Sequence, residues 1–296
     1  MLKIKLDAHP TEVRDCALLD KPLNKKKILN QNKIFTDQTG RKITLSASPR
    51  RIISLVPSQT EFLCDLGLEE ETVGITKFCV HPARWFKEKA RVGGTKNIKP
   101  DKIAALQPDL IIANKEENDR EQILQLAEEY NVWLSDIVTL EDAYAMMSAV
   151  GKMTDKEEKA AQIVQRLKDD FVRLKNEIVD RPRKKAAYFI WQKPMMAAAS
   201  GTFIDEMLRL AGFVNVFAEQ TRYPEIDVEE LRRAAPDVIL LSSEPFPFRE
   251  KHIEKFAQLC PDTDVMLVDG ELFSWYGTRL LHSAEYLSKL RKEIDV

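Results

Sequence analysis

The sequence predicts an α/β protein of two lobes, each built on a central parallel sheet, joined by one long α-helix. Three observations predict it. Short apolar runs alternate with helical patterns in both halves of the chain, the grammar of parallel-sheet lobes. Residues 154–181 keep a helical period without a single Gly or Pro. A helix–break–strand segment recurs 128 residues further on.

Residues 1–33 are polar and weakly patterned, carry a basic run at 25–27, and read as an N-terminal appendage. Two β-prone runs flanking a turn at Asp37 and Gly40 then predict a β-hairpin over 33–45. The run RIISLV at 51–56 is apolar enough to lie inside a parallel sheet. It enters PSQTE, where Ser58 and Glu61 have the spacing of a capping box, ahead of a helix ending near Gly67. Strands are expected at 72–76, 110–113 and 132–137, with helical segments between them.

In 154–181, Ala161, Val164, Leu167, Phe171, Leu174 and Ile178 recur at threes and fours. A helix of that length is about 40 Å long, enough for a rigid strut between lobes or for one surface helix of a single large domain, and Pro182 ends it. Strands follow at 185–191, 238–242 and 265–269, with helices at 203–210, 228–234, 250–259 and 283–294. The expected organisation is therefore an N-terminal lobe at 34–153, the connecting helix at 154–181 and a C-terminal lobe at 182–296.

The repeat pairs DKIAALQPDLII at 101–112 with EELRRAAPDVIL at 229–240. Each is an acid-led helix, a Pro-Asp break and an apolar strand, so Asp101 and Glu229 hold equivalent places. A looser echo pairs the helix ending at Gly67 with the one ending at Gly212. A carboxylate in a first helical turn is favoured by the helix dipole, and a matched pair also makes two anionic knobs, one per lobe.

Composition excludes several functions. Across 296 residues, 45 Lys and Arg face 47 Asp and Glu, giving a net charge of −2, which argues against a nucleic-acid partner. No apolar run approaches a membrane span. The four cysteines, Cys16, Cys64, Cys79 and Cys260, form no CxxC, and His9, His81, His252 and His282 stand apart. Glycine-rich phosphate cradles, GxSxG and HExxH are absent. No catalytic constellation, metal site or resident cofactor is expected, which favours a binding protein over an enzyme. The first residues show neither an apolar signal core nor a lipoprotein cysteine site, so a cytoplasmic protein or a processed form is expected.

Open parallel sheets bind ligands beyond the C-terminal ends of their strands, and polar and aromatic residues gather there. In the first half these include Phe78 and His81; in the second, Trp191, Tyr223, Trp275, Tyr276 and Arg279. Broad aromatic faces suit a bulky, planar or amphipathic ligand, and Arg279 could meet a ligand carboxylate or form an internal ion pair.

These stretches, with PRRIISLVPSQTE at 49–61, KIAALQPDLII at 102–112, the 154–181 helix and 229–240, resemble the helical-backbone metal receptors. These are the substrate-binding proteins of ABC importers for cobalamin, haem and ferric siderophores, and the resemblance runs from about Ile34 to the C-terminus. It implies two Rossmann-like lobes in the class III periplasmic binding protein fold, a periplasmic location, and a metal chelate held in the interlobe cleft and passed to a permease. It matches cleft aromatics to Phe78 and Tyr223, and permease-docking acids to Asp101 and Glu229. The acidic Glu116-Glu117 loop suits a ligand other than an anionic ferric siderophore. The alternative is a cytoplasmic two-lobed enzyme or metal-cofactor chaperone with a cleft site.

Overall fold

The computed structural model describes residues 32–295. The appendage reading of 1–33, with His9, Cys16 and the basic run, lies outside the described residues apart from its last two positions. A hairpin of β1 (Lys33–Thr36) and β2 (Lys42–Leu45) opens the described chain, closed by Asp37, whose carboxylate accepts the Thr39 and Arg41 amides at 2.9 and 2.8 Å. The first lobe follows as β3 (Ile52–Ser54), α1 (Pro57–Asp65), β4 (Thr72–Ile75), α2 (Ala83–Glu88), β5 (Ala90–Arg91), α3 (Pro100–Leu106), β6 (Leu110–Asn114), α4 (Arg120–Glu129) and β7 (Val132–Ser135). Its sheet is wholly parallel, in the order β5-β4-β3-β6-β7. Strands β3 and β6 are central and buried along their length, which is why they read as unbroken apolar runs.

Two helices follow, α5 (Leu140–Met153) and α6 (Glu157–Ile178). The expected rod is 22 residues rather than 28, about 33 Å at 1.5 Å per residue. It begins later because Asp155 adopts a left-handed φ of 54°, breaking the chain between the two helices. It stops before Pro182, with Val179 at its C-cap. The buried stripe of Val164, Leu167, Phe171 and Leu174 contributes roughly 1.5–3 kcal/mol per fully buried side chain.

The second lobe is β8 (Lys184–Gln192), β9 (Met195–Ala197), α7 (Phe203–Leu210), β10 (Phe213–Asn215), α8 (Val228–Ala234), β11 (Val238–Ser242), α9 (Glu250–Leu259), β12 (Asp264–Val268), α10 (Glu271–Ser274) and α11 (Leu280–Ile294). Its parallel order is β10-β8-β11-β12, with β9 folded antiparallel onto β8. Helix α6 packs on α5 from one side and on α7 and α11 from the other. One hydrophobic cluster spans both lobes, from Leu63, Trp133 and Leu140 to Phe203, Tyr276 and Leu280, and a smaller one lies within each lobe.

The 128-residue repeat is present in the backbone. Helices α3 and α8 are both seven residues long, and β6 and β11 start and stop at equivalent positions. Both helices end in a left-handed residue, Gln107 (φ 45°) and Ala235 (φ 43°). The aspartates that follow do one job: Asp109 accepts the Arg50 and Arg51 amides at 2.7 and 2.9 Å, and Asp237 accepts that of Lys185 at 2.6 Å. Each thereby ties its strand to the start of the neighbouring one.

One local expectation is corrected. Ser58 and Glu61 form no capping box. Val56 occupies the N-cap and Pro57 the first helical turn, where proline lacks an amide that would need a partner. Glu61 turns toward the second lobe instead.

Candidate functional site

The strands of each sheet end in loops that meet those of the other lobe. The floor is made by the segment 275–279 against α1. Gly277 sits so close that a Cβ there would lie 2.6 Å from the Ser58 carbonyl oxygen, so only glycine fits without a shift. Beside it, Arg279 holds Glu61 through two bonds, Nε to Oε2 at 3.0 Å and Nη2 to Oε1 at 2.6 Å, and Thr278 donates to Asp65. The third guanidinium nitrogen reaches Glu271 at 3.2 Å, whose other oxygen lies 3.4 Å from His81 Nε2. Higher up, Arg222 reaches Glu116 at 3.3 Å. All of these contacts but Arg279 to Glu271, which lies within the second lobe, join one lobe to the other.

The acidic residues are placed by their strands. At the end of β6, Asn114 Oδ1 accepts the amides of Glu116 and Glu117 at 2.8 and 3.0 Å. Asn118 locks that loop by accepting the Asn114 amide at 2.8 Å and donating to Leu55 and Thr95 carbonyls. At the end of β11, Ser242 Oγ accepts the Glu244 amide at 3.3 Å. Asn114 and Ser242, and likewise Glu116 and Glu244, are 128 residues apart, so the repeat sets a glutamate on each wall. Burial raises the Glu117 carboxyl to about 7, helped by the charges of Glu244 and Glu116 and opposed by Lys96. Burial also raises Glu244, against hydrogen bonds from Ser274 at 2.6 Å and the Trp275 indole at 2.9 Å.

The expected ligand-binding residues fall in three groups. Tyr223 is half-buried and Trp275 and Tyr276 are buried where the lobes meet: burial and then nearby glutamates push both tyrosine hydroxyls up, with a hydrogen bond from Ser58 opposing the shift at Tyr276. His81 packs its ring edge-on to Trp275 at 5.7 Å. Phe78 and Trp191 are exposed, at 49% and 39%, each against neighbours of its own lobe. Phe78 lies over Gly94 under the Lys77 ammonium at 4.8 Å, and Trp191 leans on Phe246 at 5.5 Å. Arg279 is committed to two protein carboxylates, the internal ion pair that its position left open.

Asp101 and Glu229 lie apart from the cleft residues, exposed at the second position of α3 and α8. Glu229 pairs with Arg232 at 3.0 Å. Glu61, Glu244 and Glu271 escaped the sequence reading. The repeat could have identified Glu244 as the counterpart of Glu116. Nothing local marked Glu61 as the partner of Arg279, 218 residues away, or Glu271 as the partner of His81 in the other lobe. Among the described residues no cluster of three metal-ligating side chains forms, and no helix is long and apolar enough to cross a membrane.

The family model "Periplasmic binding protein" matches residues 52–259. An uncharacterized ABC transporter substrate-binding lipoprotein of Bacillus subtilis is 26% identical over 267 residues, covering 86% of this chain and 83% of that protein. A vitamin B12-binding protein of Pectobacterium carotovorum is 25% identical over 245 residues, covering 81% and 88%. Among solved structures, the periplasmic vitamin B12 binding protein of Vibrio cholerae superposes with a TM-score of 0.73 at 23% identity, covering 84% of this chain and 98% of that one. It shares two parallel-sheet lobes and the helix between them, the class III arrangement. With the match spanning most of both lobes, the chain belongs to the periplasmic binding protein family.

Proposed function

We propose that the protein is the substrate-binding component of an ABC importer, that it works outside the cytoplasmic membrane, and that it holds a bulky chelated metal compound between its lobes. The observation that carries this reading is the pairing of the two sheet ends. Both present their loops to one gap, where Tyr223, Trp275 and Tyr276 meet residues of the first lobe, and the exposed Phe78 and Trp191 are available on the two lobes. Large aromatic faces suit a broad ligand with apolar surface and a polar edge. The vitamin B12-binding relatives and the substrate-binding lipoprotein support the same class. Membership of this family weighs against an enzyme or cofactor chaperone.

Asp101 and Glu229 are the contacts for the permease, one per lobe, meeting basic groups on its outer face. Exposed pairs of that kind contribute about 0–1 kcal/mol each, so they set register more than affinity.

Titration with cobalamin, haemin and a ferric siderophore, followed by quenching of tryptophan emission, tests the reading. At least one chelate should quench saturably at one equivalent. Replacing Phe78 and Tyr223 together by Ala should weaken that binding by about tenfold or more, the scale of aromatic anchors in an interface, while Leu124→Ala on exposed α4 leaves it unchanged. Failure of every chelate to bind would overturn the proposal.

A further inference from the structure

The contacts between the lobes differ in strength. Against α1, Arg279 grips Glu61 through two bonds, with side chains only 18% and 20% exposed, and Gly277 is pressed on the Ser58 carbonyl. Closer to solvent, Arg222 spans the gap through one nitrogen. Its Nη2 lies 3.3 Å from Glu116 Oε1, and the two side chains are 49% and 28% exposed. Behind this pair stands Tyr223, its ring centre 5.9 Å from the Arg222 guanidinium, packed on the shared hydrophobic cluster that contains Tyr276. A ligand approaching Tyr223 from this side meets the ion pair first.

Both ends of the pair rest on fixed backbone. Residues 222–226 are laced to 195–200. The Arg222 amide donates to the Ser200 carbonyl, and the amides of Ala199, Ala197 and Ile226 donate to those of Arg222, Pro224 and Met195, at 2.8–3.1 Å. The Glu116 loop is fastened by Asn114 and Asn118. Parting the pair therefore needs side-chain rotation alone, a fast motion. Arg222 also holds a left-handed φ of 65°, which glycine or asparagine adopts more readily. A strained residue held in place by its surroundings points to a role for its side chain.

We propose that Arg222 and Glu116 form a latch, which parts to let a bulky chelate reach Tyr223 and Tyr276 while the Arg279–Glu61 contact stays shut. The inference rests on the proposed binding function and concerns how that site is entered. The energies fit the role. A partly exposed pair shifts an equilibrium by up to about fivefold, enough to bias the gap toward shut and little enough for a ligand to overcome. Apparent affinity and association rate then scale with the fraction of molecules in which the latch is open.

Stopped-flow quenching of tryptophan emission by cyanocobalamin, haemin and ferrioxamine B, on the full chain, tests the latch. Two double variants keep the net charge unaltered, so that electrostatic steering of the ligand is preserved. Arg222→Gln with Glu116→Gln removes the pair, and Arg222→Glu with Glu116→Arg restores it in reverse. Circular dichroism and thermal melting check that both fold. A chelate that binds the wild type should associate about two- to fivefold faster with the double-glutamine variant, and the reversed pair should return the rate to that of the wild type. Unchanged or slower association with the double-glutamine variant, the result expected if Arg222 itself holds the ligand, overturns the latch while the binding function stands. So does a reversed pair that stays as fast as the double-glutamine variant. If no chelate binds the wild type, the binding function itself falls, and the latch with it.

Discussion

Glu117 shows how one residue's setting turns into behaviour. A carboxyl held at about 7 in the folded chain against an ordinary 4.5 binds more protons folded than unfolded. Its contribution to stability is therefore fully present below pH 4.5 and is lost as pH rises through 7. The shift corresponds to at most about 3 kcal/mol. Urea unfolding at pH 5 and pH 8 should show a smaller loss toward pH 8 for Glu117→Gln than for the wild type; parallel losses would mean that the carboxyl is not perturbed. At this scale the sequence was partly legible. Aromatic types and the strand-end rule singled out Phe78, His81 and Tyr223; His81 and Tyr223 lie where the lobes meet, and Phe78 is exposed over Gly94. The partners of Arg279 were not, because Glu61 and Arg279 are 218 residues apart, and Glu61 also fitted a local cap that Pro57 made unnecessary.

Among elements, the α5–α6 pair is the most tightly constrained. Gly151 on α5 lies so near α6 that a Cβ there would stand 2.5 Å from the Ala160 Cβ. Glycine in a helix costs about 1 kcal/mol relative to alanine, yet here a methyl group must push two helices apart. Gly151→Ala should destabilise by about 1–3 kcal/mol by chemical denaturation. Gly151→Ala with Ala160→Gly should recover most of that loss; a stabilising single substitution would show that the helices do not meet this closely. Elements were legible in proportion to length and pattern. Strand β11 and helices α7, α8 and α9 have the bounds that their periodicity predicts. The short β5, β9, β10, α2 and α10 were not foreseen, because two to six residues carry too little period to detect. The start of α6 was misplaced because nothing in the residue types of 153–156 announces the left-handed Asp155.

The whole molecule is organised by the repeat, which the Pro-Asp breaks and the equal spacing of Asp101 and Glu229 make visible in the sequence. It puts one exposed acid on each lobe at the same helical position. Reversing both charges, Asp101→Arg with Glu229→Arg, should abolish chelate uptake and stimulation of the transporter's ATPase in reconstituted vesicles, with chelate affinity unchanged. Undiminished uptake by the double variant would dispose of the docking role. Pairing with Arg232 already occupies Glu229, so part of its charge must be freed on docking, whereas Asp101 is in no ion pair among the described residues. What stayed hidden at this scale was the contact across the gap, since sequence spacing within each lobe says nothing about which side chains come together between them.

The apolar cluster that passes from Trp133 through α6 to Leu280 has a further consequence. Each half also holds a smaller cluster of its own, around Ile53 and Ile111 in the first and Phe189 and Ile239 in the second, but the shared one belongs to neither alone. Severing the chain at the connecting helix would leave two fragments, each with a raw greasy wound, and a guest that grips both walls therefore steadies the entire fold rather than the half it happens to touch first.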